Sequence, residues 1–342
     1  MPNKLKTNKL LRVGILMGGP SSEHEVSLNT GATVIKNLDK NKYEAISIKI
    51  AKNGRWFVGG KQTDLEKAFK NFNLIFNALH GTFGEDGRVQ ALMEYYSAKY
   101  TGSGITASAL AIDKLRSREI LKLTGLRVPN TLKIRRGENY QALLNVFVNK
   151  VTSFPVVVKP CSNGSSVGVF IVDNQSSLEK AIKSAFEIDK KVLIEEFIEG
   201  REVTCGVLDS SSEDNSIASN PLVLTIGSVT ALPVTEIIPK KGHKFFDYEA
   251  KYKLGHSDEI TPAQLDEETT KKIQEIAIKA HQILGCRAYS RTDMIIKNGD
   301  VYVLETNTLP GLTSASLFPK ASALAGLTMS QLLDRIIDSS LG

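Results

Sequence analysis

Three side chains that carry oxygen donors, Asp293, Glu305 and Asn307, stand at the ends of two apolar segments, residues 293–296 and 301–304. These segments are typical of strands, and an apolar strand has no need of acids at its ends. Two carboxylates and an amide are hard oxygen ligands that suit Mg²⁺, especially when the ion is shared with substrate phosphates. An ordinary hairpin with charged, solvated ends explains the same residues equally well, so both interpretations stay open at this point.

The turn between the two strands, predicted at residues 298–299, decides which side chains share a face. A three-residue turn keeps Asp293 on the face of Glu305, whereas a two-residue turn would oppose Asp293 to Leu304. A metal site therefore predicts the three-residue turn. Arg291 would lie on the same face, where it could steady negative charge beside the metal.

Composition bounds the class of protein. The chain has 342 residues, 42% of them hydrophobic and 23% charged, which is enough for two or three domains with cores. Its 43 basic and 37 acidic residues are spread along the chain and form no basic stripe with aromatics, so we expect no nucleic-acid partner. The small positive surplus suits a site for phosphates and carboxylates, although solvated lysines explain most of it.

The expected compartment of the protein and the redox state of its cysteines are inferred from the apolar runs and the cysteine spacing of the sequence. No apolar run approaches membrane-spanning length, and the N-terminal residues lack the apolar core of a signal peptide. We therefore expect a cytoplasmic protein with no membrane partner. Three widely spaced cysteines match neither a disulfide framework nor a zinc site, and we expect them to be reduced.

The N-terminal part begins with a buried strand over residues 12–17 that runs into two glycines. Ser22 and Glu25 form a plausible capping box, which predicts a helix opening near Ser22 and Glu23. Glu23 would then stand at the carboxyl edge of a strand, where open α/β sheets place ligands. An acid that merely complements the helix dipole is the alternative. The glycines do not form G-x-G-x-x-G, so dinucleotide binding gains no support.

A second strand, predicted over residues 73–79, ends in the glycine-rich loop 80–87, HGTFGEDG. Glycines allow the loop to approach a small ligand closely, and His80 and Glu85 lie among them. We expect this loop to face the same sheet edge as Glu23. A histidine in such a loop at the carboxyl end of a strand is more often functional than structural.

Residues 155–172, PVVVKPCSNGSSVGVFIV, predict a strand, a Gly/Ser loop and another strand. The loop is no Walker motif, because GK[ST] is absent and no helix follows. Its backbone N–H groups and the hydroxyls of Ser165 and Ser166 could close over phosphates. Lys159 ends an otherwise apolar strand, which is costly unless the lysine meets an anion. An ordinary hairpin leaves that lysine unexplained.

Three further segments complete the predicted organisation. A helical stretch carries Lys114 and ends at Gly125. An apolar strand from Val192 passes into backbone that could meet an adenine edge, with Glu202 placed for ribose hydroxyls, although acids beside a glycine are also common in turns. Residues 237–257 mix lysines and aromatics without a steady period, which favours an active-site lid over a strand or helix.

Taken in order, six motifs resemble the D-alanine–D-alanine ligases of the ATP-grasp superfamily. They are GGPSSEHEVSL, HGTFGEDG, YTGSG followed by DK, KPCSNGSSVGV, DYEAKY and VLETNTLPGLTSASL. The resemblance covers nearly the whole chain and implies a three-domain α/β (α+β) ATP-grasp fold. It implies an N-terminal domain with an open parallel α/β sheet over 1–101, a central ATP-grasp subdomain over 102–195, and a C-terminal ATP-grasp subdomain over 196–342 that carries the lid 237–257.

The resemblance also implies the reaction and its partners. Members of this family use ATP to join two D-alanines into D-alanyl-D-alanine through a D-alanyl phosphate, for bacterial peptidoglycan precursors. The implied ligands are ATP, D-alanine at two sites, and two Mg²⁺ (or Mn²⁺) ions. A homodimer in the cytoplasm is expected.

The nucleotide-binding positions of the family transfer to this sequence residue by residue. Three lysines match those that hold the phosphates, four consecutive residues match the adenine-binding hinge, and one acid matches the ribose ligand. With a serine of the phosphate loop, these residues are Lys114, Lys159, Lys251, Glu195, Glu196, Phe197, Ile198, Glu202 and Ser166. Glu196 replaces a common lysine, so the adenine contact there is through the backbone or absent.

The catalytic positions transfer in the same way. The ligands of the two Mg²⁺ ions match Asp293, Glu305 and Asn307, in agreement with the hairpin. The family has a hydrogen-bonded trio between substrate site and lid, and it matches Glu23, Ser165 and Tyr252. The two oxyanion donors match Arg291 and Gly311, and the contact to the second carboxylate matches Ser316. The pocket for the first D-alanine matches His80 and Glu85.

Other functions explain the sequence less well. An ATP-grasp ligase with different substrates would not need the amino-acid-site residues Glu23, His80, Tyr252 and Ser316. A nucleotide-binding regulatory protein would not need a complete set of metal ligands, and a nicotinamide dehydrogenase would need the missing glycine fingerprint. Residues 209–230 are an insertion relative to many relatives, and the sequence assigns it no role.

Overall fold

The computed structural model describes residues 10–161, 168–210, 217–239 and 257–341, and this part of the chain forms three sheets with helices packed around them. The strands are β1 (Leu11–Gly18), β2 (Tyr43–Ile50), β3 (Trp56–Val58), β4 (Lys61–Thr63), β5 (Leu74–Asn77), β6 (Thr131–Arg135), β7 (Val156–Pro160), β8 (Phe170–Val172), β9 (Lys191–Glu196), β10 (Arg201–Asp209), β11 (Leu224–Ile226), β12 (Val229–Ala231), β13 (Thr235–Pro239), β14 (Ser257–Ile260), β15 (Tyr289–Lys297) and β16 (Asp300–Asn307). The helices are α1 (His24–Asn37), α2 (Leu65–Phe69), α3 (Arg88–Tyr95), α4 (Ile105–Ile112), α5 (Lys114–Leu123), α6 (Gln141–Val146), α7 (Gln175–Ile188), α8 (Glu267–Ile283), α9 (Leu317–Leu324) and α10 (Met329–Leu341), and a π-helical turn spans Phe147–Val151.

The N-terminal sheet has the strand order β4-β3-β2-β1-β5. Strand β1 lies between β2 and β5 and pairs in parallel with both, while β3 and β4 add an antiparallel edge. Val13, Ile15 and Leu16 are fully buried, as expected for a parallel strand that is covered on both faces. This is the predicted open α/β sheet, and its carboxyl edge carries the loops that follow β1 and β5.

The middle sheet, β6-β9-β7-β8, is antiparallel throughout. The amphipathic helix α7 packs on it and buries Leu178, Ile182 and Phe186. Strands β7 and β8 confirm the predicted strand–loop–strand, although the loop residues 162–167, including Ser165 and Ser166, lie outside the described residues.

The C-terminal sheet is built around β10. That strand pairs with β12 and β13 along one edge and with β15 along the other, and β15 pairs in turn with β16. Helix α8 packs against this sheet and buries Ile273, Ala277 and Ala280. A hydrophobic cluster joins the sheet to the N-terminal part of the chain, since Tyr289 and Leu309 share it with Phe76 of β5.

Two helix starts differ from the sequence predictions. Helix α1 begins at His24 with Glu23 as its N-cap and no side-chain capping hydrogen bond, so the predicted capping box of Ser22 and Glu25 is wrong. The helical stretch predicted through Lys114 is two helices, because Asp113 adopts an extended conformation between α4 and α5. The Asp113 carboxylate accepts a hydrogen bond from the backbone N–H of Arg116 at 3.1 Å, which starts α5 afresh.

Two predicted boundaries also change. Strand β5 is shorter than the predicted 73–79, because the chain leaves the sheet after Asn77. Residues 237–239 belong to β13 and Ser257 to β14, and the two strands pair, so the ends of the predicted lid are strand. Residues 240–256, with Lys251 and Tyr252, lie outside the described residues, and the lid itself stays a prediction.

Burial agrees with the reading of the cysteines. Cys161, Cys205 and Cys286 are free thiols, and burial raises the pKa of each, to about 12 for the last two. Their thiolates are therefore disfavoured. Among the described helices, none combines the length and the apolarity needed to cross a membrane.

The close approach of β10 and β15 predicts a steric limit at Gly200. A β-carbon there would collide with the backbone carbonyl oxygen of Ile296 and lie 2.8 Å from Cγ2 of Ile295. We expect Gly200→Ser to lower the free energy of unfolding by about 1–3 kcal/mol, because a backbone atom cannot move aside. Thermal and urea denaturation measure the loss.

The matched control is Gly104→Ser. A β-carbon there meets only the Tyr100 hydroxyl at 3.7 Å, and serine suits the N-cap position that Gly104 occupies. Equal stability losses at the two glycines would contradict the steric account.

Candidate functional site

The hairpin of β15 and β16 closes with a two-residue turn. Lys297 pairs with Asp300, and the two residues between them, Asn298 and Gly299, have positive φ angles of 52° and 81°. This is the geometry of a tight hairpin turn, which favours Asn-Gly. The predicted three-residue turn is therefore wrong.

A β-bulge brings Asp293 and Glu305 to the same face of the hairpin, which the two-residue turn alone would not do. Met294 pairs with Val303, but Asp293 pairs with Glu305, so Leu304 is an extra residue without a partner across the ladder. The bulge shifts the register by one position between the turn and the acids. Asp293 and Glu305 therefore share a face after all.

Arg291 and Asn307 are the next facing pair on that side of the hairpin. The guanidinium of Arg291 binds both carboxylate oxygens of Asp293, at 2.8 and 2.9 Å. Asp293 is only 6% exposed and also accepts a hydrogen bond from the hydroxyl of Thr204 on β10 at 2.7 Å. The predicted oxyanion donor and the predicted metal ligand are thus held as one rigid pair.

Glu305 and Asn307 are held as well. Nζ of Lys114, the second residue of the DK pair, lies 3.0 Å from Oε2 of Glu305. Burial disfavours the charged form of Lys114, but the Glu305 carboxylate outweighs burial and raises the pKa of the lysine above its ordinary value. The Asn307 side-chain oxygen accepts a hydrogen bond from the backbone N–H of Leu309 at 2.8 Å.

The donors on this face fit a shared metal rather than an enclosed one. Asp293, Glu305 and Asn307 offer only oxygen atoms, which suits Mg²⁺. Among the described residues no group of three or more His, Cys, Asp or Glu side chains could hold a metal ion. A metal on this face would take its remaining ligands from water or from a bound phosphate.

The second predicted phosphate lysine meets the predicted adenine hinge. Nζ of Lys159 on β7 lies 2.8 Å from Oε2 of Glu195 on β9, and Nη1 of Arg118 on α5 lies 2.5 Å from the other oxygen. Burial would raise the pKa of Glu195, but Arg118 and Lys159 outweigh burial and lower it. Burial and the charge of Arg118 lower the pKa of Lys159 to about 8, although Glu195 opposes the shift.

The remaining hinge residues follow β9. The carboxylate of Glu196 accepts hydrogen bonds from the backbone and side-chain N–H groups of Asn130, at 3.3 and 2.9 Å, so this acid anchors the segment. Phe197 is half-buried and Ile198 is 4% exposed. Glu202 lies at the start of β10, opposite Ile237 of β13.

The glycine-rich loop 80–87 faces the start of α1, as predicted. Gly81 packs so closely on Glu23 that a β-carbon there would collide with the Glu23 carboxylate, and the Ser21 hydroxyl donates to the His80 carbonyl at 2.7 Å. His80 is 6% exposed, and its Nε2 lies 2.8 Å from the Thr30 hydroxyl.

Glu85 stabilises this loop and links it to β15. Its carboxylate accepts the Gly81 N–H at 2.8 Å and lies 3.7 Å from Nδ1 of His80. Burial, helped by the Glu85 charge, raises the pKa of Tyr289 on β15. The charge of Glu85 therefore acts on the buried phenol of Tyr289 as well as on the loop.

Gly311 and Ser316 come together in the turn before α9. A β-carbon on Gly311 would lie 2.8 Å from the Ser316 hydroxyl, which in turn lies 2.8 Å from the Thr313 hydroxyl. Ser316 is the N-cap of α9 and makes no side-chain capping bond. Gly311 and Ser316 are therefore neighbours in this turn.

Sequence reasoning missed four positions. They bind predicted site residues but belong to no motif: Arg118, Thr204, Thr30 and Asn130. Only Arg118 carried a signal, because it follows Lys114 by four residues and so shares its helix face. Of the predicted residues, Ser165, Ser166, Lys251 and Tyr252 lie outside the described part of the chain.

Comparison with known proteins agrees with this geometry. A family model described as D-ala D-ala ligase C-terminus matches residues 120–338, and one described as D-ala D-ala ligase N-terminus matches residues 12–71 and 60–103. The chain is 40% identical over 337 residues to a D-alanine--D-alanine ligase of Syntrophobacter fumaroxidans, covering 98% of this chain and 99% of the relative.

Two solved structures extend the likeness to the fold. A Bacillus anthracis D-alanine--D-alanine ligase complexed with ATP superposes with a TM-score of 0.76 at 34% identity, covering 97% of both chains. The VanG D-Ala:D-Ser ligase of Enterococcus faecalis superposes with a TM-score of 0.81 at 31% identity, covering 97% of this chain and 100% of that chain.

The lowered pKa of Lys159 predicts a pH-dependent contribution to stability. The pKa is about 8 in the folded protein against an ordinary value of 10.5, so between these values the unfolded chain binds a proton that the folded chain has released. The free energy of unfolding therefore rises with pH across this window. Relative to Lys159→Met, the wild type should gain about 1–2 kcal/mol between about pH 7.5 and about pH 9.5.

Urea titrations of both proteins at the two pH values measure this gain. Lys183→Met, at an exposed lysine of α7, serves as the control and should show no such change. A stability difference between wild type and Lys159→Met that is independent of pH would show that the pKa of Lys159 is not lowered.

Proposed function

The chain belongs to the D-alanine–D-alanine ligase family, and we propose that it joins two D-alanine molecules into D-alanyl-D-alanine with ATP as the phosphoryl donor. The observation that carries the proposal is the single face of the hairpin on which Arg291, Asp293, Glu305 and Asn307 meet. That face combines metal ligands with a fixed cation, which is what transfer of a phosphoryl group to a carboxylate requires.

Buried positive charge supports the ATP site. Lys114, Lys159 and Arg118 lie beside two carboxylates, Glu195 and Glu305, which leaves one positive charge in excess. An anionic phosphate would be attracted to this cluster, and the similar Bacillus anthracis ligase was solved with ATP. The adenine would lie against the segment after β9, with Glu202 at the ribose.

Two Mg²⁺ (or Mn²⁺) ions would be held by Asp293, Glu305 and Asn307 together with the nucleotide phosphates. When bound, they would neutralise phosphate oxygens and orient the chain of phosphates for transfer. The ion pairs of Asp293 with Arg291 and of Glu305 with Lys114 hold both carboxylates in place on this face.

The chemistry proceeds in two displacements. A carboxylate oxygen of the first D-alanine attacks the terminal phosphorus of ATP, and the bond to ADP breaks. The amine of the second D-alanine, after losing a proton, attacks the acyl carbon, and phosphate leaves with the oxygen that it had received. Arg291 and the backbone N–H of Gly311 would donate to the oxyanion between these events, and the rigid hold of Asp293 on Arg291 supplies the preorganisation.

The amino acids would occupy the N-terminal side of the site. Glu23, beside Gly81, would receive the ammonium of the first D-alanine, and His80 and Glu85 would shape its pocket. Ser316 would contact the carboxylate of the second. For Ser165, Ser166, Lys251 and Tyr252, the proposed roles rest on the family match alone.

We also propose the wider organisation that the family implies. Each of the three sheets falls in one of the expected segments 1–101, 102–195 and 196–342, apart from the last residue of β9, Glu196. The proposed assembly is a homodimer in the cytoplasm, with no nucleic-acid or membrane partner.

A second candidate is a mixed product with D-serine. The likeness to the Enterococcus faecalis D-Ala:D-Ser ligase, with a TM-score of 0.81, favours it as the alternative second substrate. The two reactions share every step on the hairpin face and differ only in the amine that attacks.

The proposed reaction predicts ADP release that depends on D-alanine. Wild-type protein with ATP and Mg²⁺ should release ADP rapidly with D-alanine, and only at background rate with L-alanine or without amino acid. A coupled ADP assay measures this, and chromatography of a mixture of D-alanine and D-serine identifies the product. Equal ADP release with and without D-alanine would refute the ligase; a product mainly containing D-serine would establish the second candidate.

The metal assignment predicts that Glu305→Gln lowers turnover by at least about a hundredfold, because the amide removes a negative ligand while keeping the shape. Thermal denaturation should show an intact fold. Asp300→Asn, at the turn end of the same strand and paired with Arg127, is the control and should keep its activity. Full activity of Glu305→Gln at saturating Mg²⁺ would remove Glu305 from the site.

A further inference from the structure

One buried arginine joins elements that belong to different sheets. Arg118 lies on α5 and is 2% exposed, so its whole side chain is inside the protein. A buried guanidinium is costly unless its donors and its charge are matched. Its contacts therefore tell why the position holds an arginine.

The first contact is with the bulge of β16. Nε of Arg118 donates to the backbone carbonyl of Leu304 at 2.7 Å. Leu304 is the extra residue of the bulge and has no partner across the ladder. Its carbonyl thus accepts a hydrogen bond from the side chain of a different element, α5. The next residue along the chain is Glu305, so this bond holds the backbone that carries a metal ligand.

The second contact is with the lysine-bearing side of the site. Nη1 of Arg118 lies 2.5 Å from Oε1 of Glu195 and 3.3 Å from the Thr131 hydroxyl. Thr131 and Glu195 face each other across β6 and β9. The other Glu195 oxygen binds Lys159. Arg118 thereby shares one carboxylate with a proposed phosphate lysine.

The arrangement is not the one that stability alone would select. Nη2 of Arg118 is buried and has no hydrogen-bond partner among the described residues. A buried donor without a partner is destabilising, and apolar packing would avoid it. What the arginine provides instead is geometry, because two different nitrogens of one planar group reach the bulge and the carboxylate together.

We propose that Arg118 is a positioning residue of the nucleotide site. By holding the Leu304 carbonyl and the Glu195 carboxylate at once, it fixes the metal-binding face of β16 relative to Lys159 on β7. Without it, Glu195 would lose one of its two ion-pair partners and would hold the other, Lys159, back from a phosphate. This inference rests on the proposed function, since it assumes that the face and the lysine serve one nucleotide.

The test compares Arg118→Lys with wild type, using calorimetric binding of the non-hydrolysable ATP analogue AMP-PNP with Mg²⁺. A lysine keeps the charge, but its single nitrogen cannot replace both contacts. We expect affinity for AMP-PNP to fall about tenfold or more, and the KM for ATP and the Mg²⁺ concentration for half-maximal activity to rise. The KM for D-alanine should stay within about twofold, because the hydrogen bonds and ion pair of Arg118 within the described residues go to Leu304, Thr131 and Glu195 and not to the loop around Glu23.

Two further variants separate positioning from general stability. Arg335→Lys alters an arginine of α10 that is just as buried, at 3% exposed, and should lower the melting temperature without changing AMP-PNP affinity. Arg118→Met should weaken AMP-PNP binding more than Arg118→Lys does, and adding Glu195→Gln should restore part of the affinity by releasing Lys159. If Arg118→Met does not fold, the same comparison is made by adding Glu195→Gln to Arg118→Lys.

The outcomes are distinct. The positioning role would be overturned if Arg118→Lys kept the wild-type AMP-PNP affinity and Mg²⁺ requirement. It would also be overturned if Arg335→Lys lost AMP-PNP affinity as Arg118→Lys does, or if adding Glu195→Gln lowered the affinity further. If wild-type protein binds AMP-PNP but joins no D-alanine, the proposed function fails while the nucleotide affinities still decide the role of Arg118.

Discussion

An extra residue in one strand decides which side chains of this protein can act together. The two-residue turn of the β15–β16 hairpin would place Asp293 opposite Leu304, and the bulge at Leu304 brings it opposite Glu305 instead. Because side chains alternate along a strand, the shift of one position determines whether the two carboxylates share a face. The carbonyl of the bulge residue Leu304 accepts a hydrogen bond from the side chain of Arg118.

The buried carboxylates around this hairpin are each paired with a positively charged side chain. Each carboxylate touches a cation: Asp293 touches Arg291, Glu305 touches Lys114, and Glu195 touches both Lys159 and Arg118. Removing Glu195 would leave the charges of Lys159 and Arg118 without this carboxylate in a poorly hydrated place, which is far more destabilising than never having built the pair. These ion pairs hold the side chains in fixed positions. Fixed charges at a site of phosphoryl transfer need little reorganisation as charge develops in the transition state.

The sequence predicted which residues form this site better than the turn, the bulge and the strand pairing that bring them together. It placed Asp293 and Glu305 on one face correctly but through the wrong turn, because Asn298 and Gly299 specify a tight turn while a bulge has no local signature. It predicted that Lys159 must meet an anion, and the anion is Glu195, which lies on a neighbouring strand. Periodicity cannot give such a pairing, since strand order is a property of the whole sheet.

Contacts that are distant in sequence were the least predictable. Arg118 and Leu304 are 186 positions apart, and Arg118 belongs to no motif. Motifs mark residues that touch ligands, whereas the residues that hold them depend on which elements the fold brings together. The same limit applies to Thr204, whose hydroxyl binds Asp293 from β10.

The central claim is that this site activates a carboxylate by giving it a phosphoryl group. Oxygen-isotope transfer tests it most directly: D-alanine labelled with ¹⁸O in its carboxylate is turned over with unlabelled ATP, and the released phosphate is analysed by mass spectrometry. The account predicts one ¹⁸O atom in each phosphate released during dipeptide formation, because that oxygen bridges carbon and phosphorus before the amine attacks. Phosphate without label, formed together with dipeptide, would contradict it.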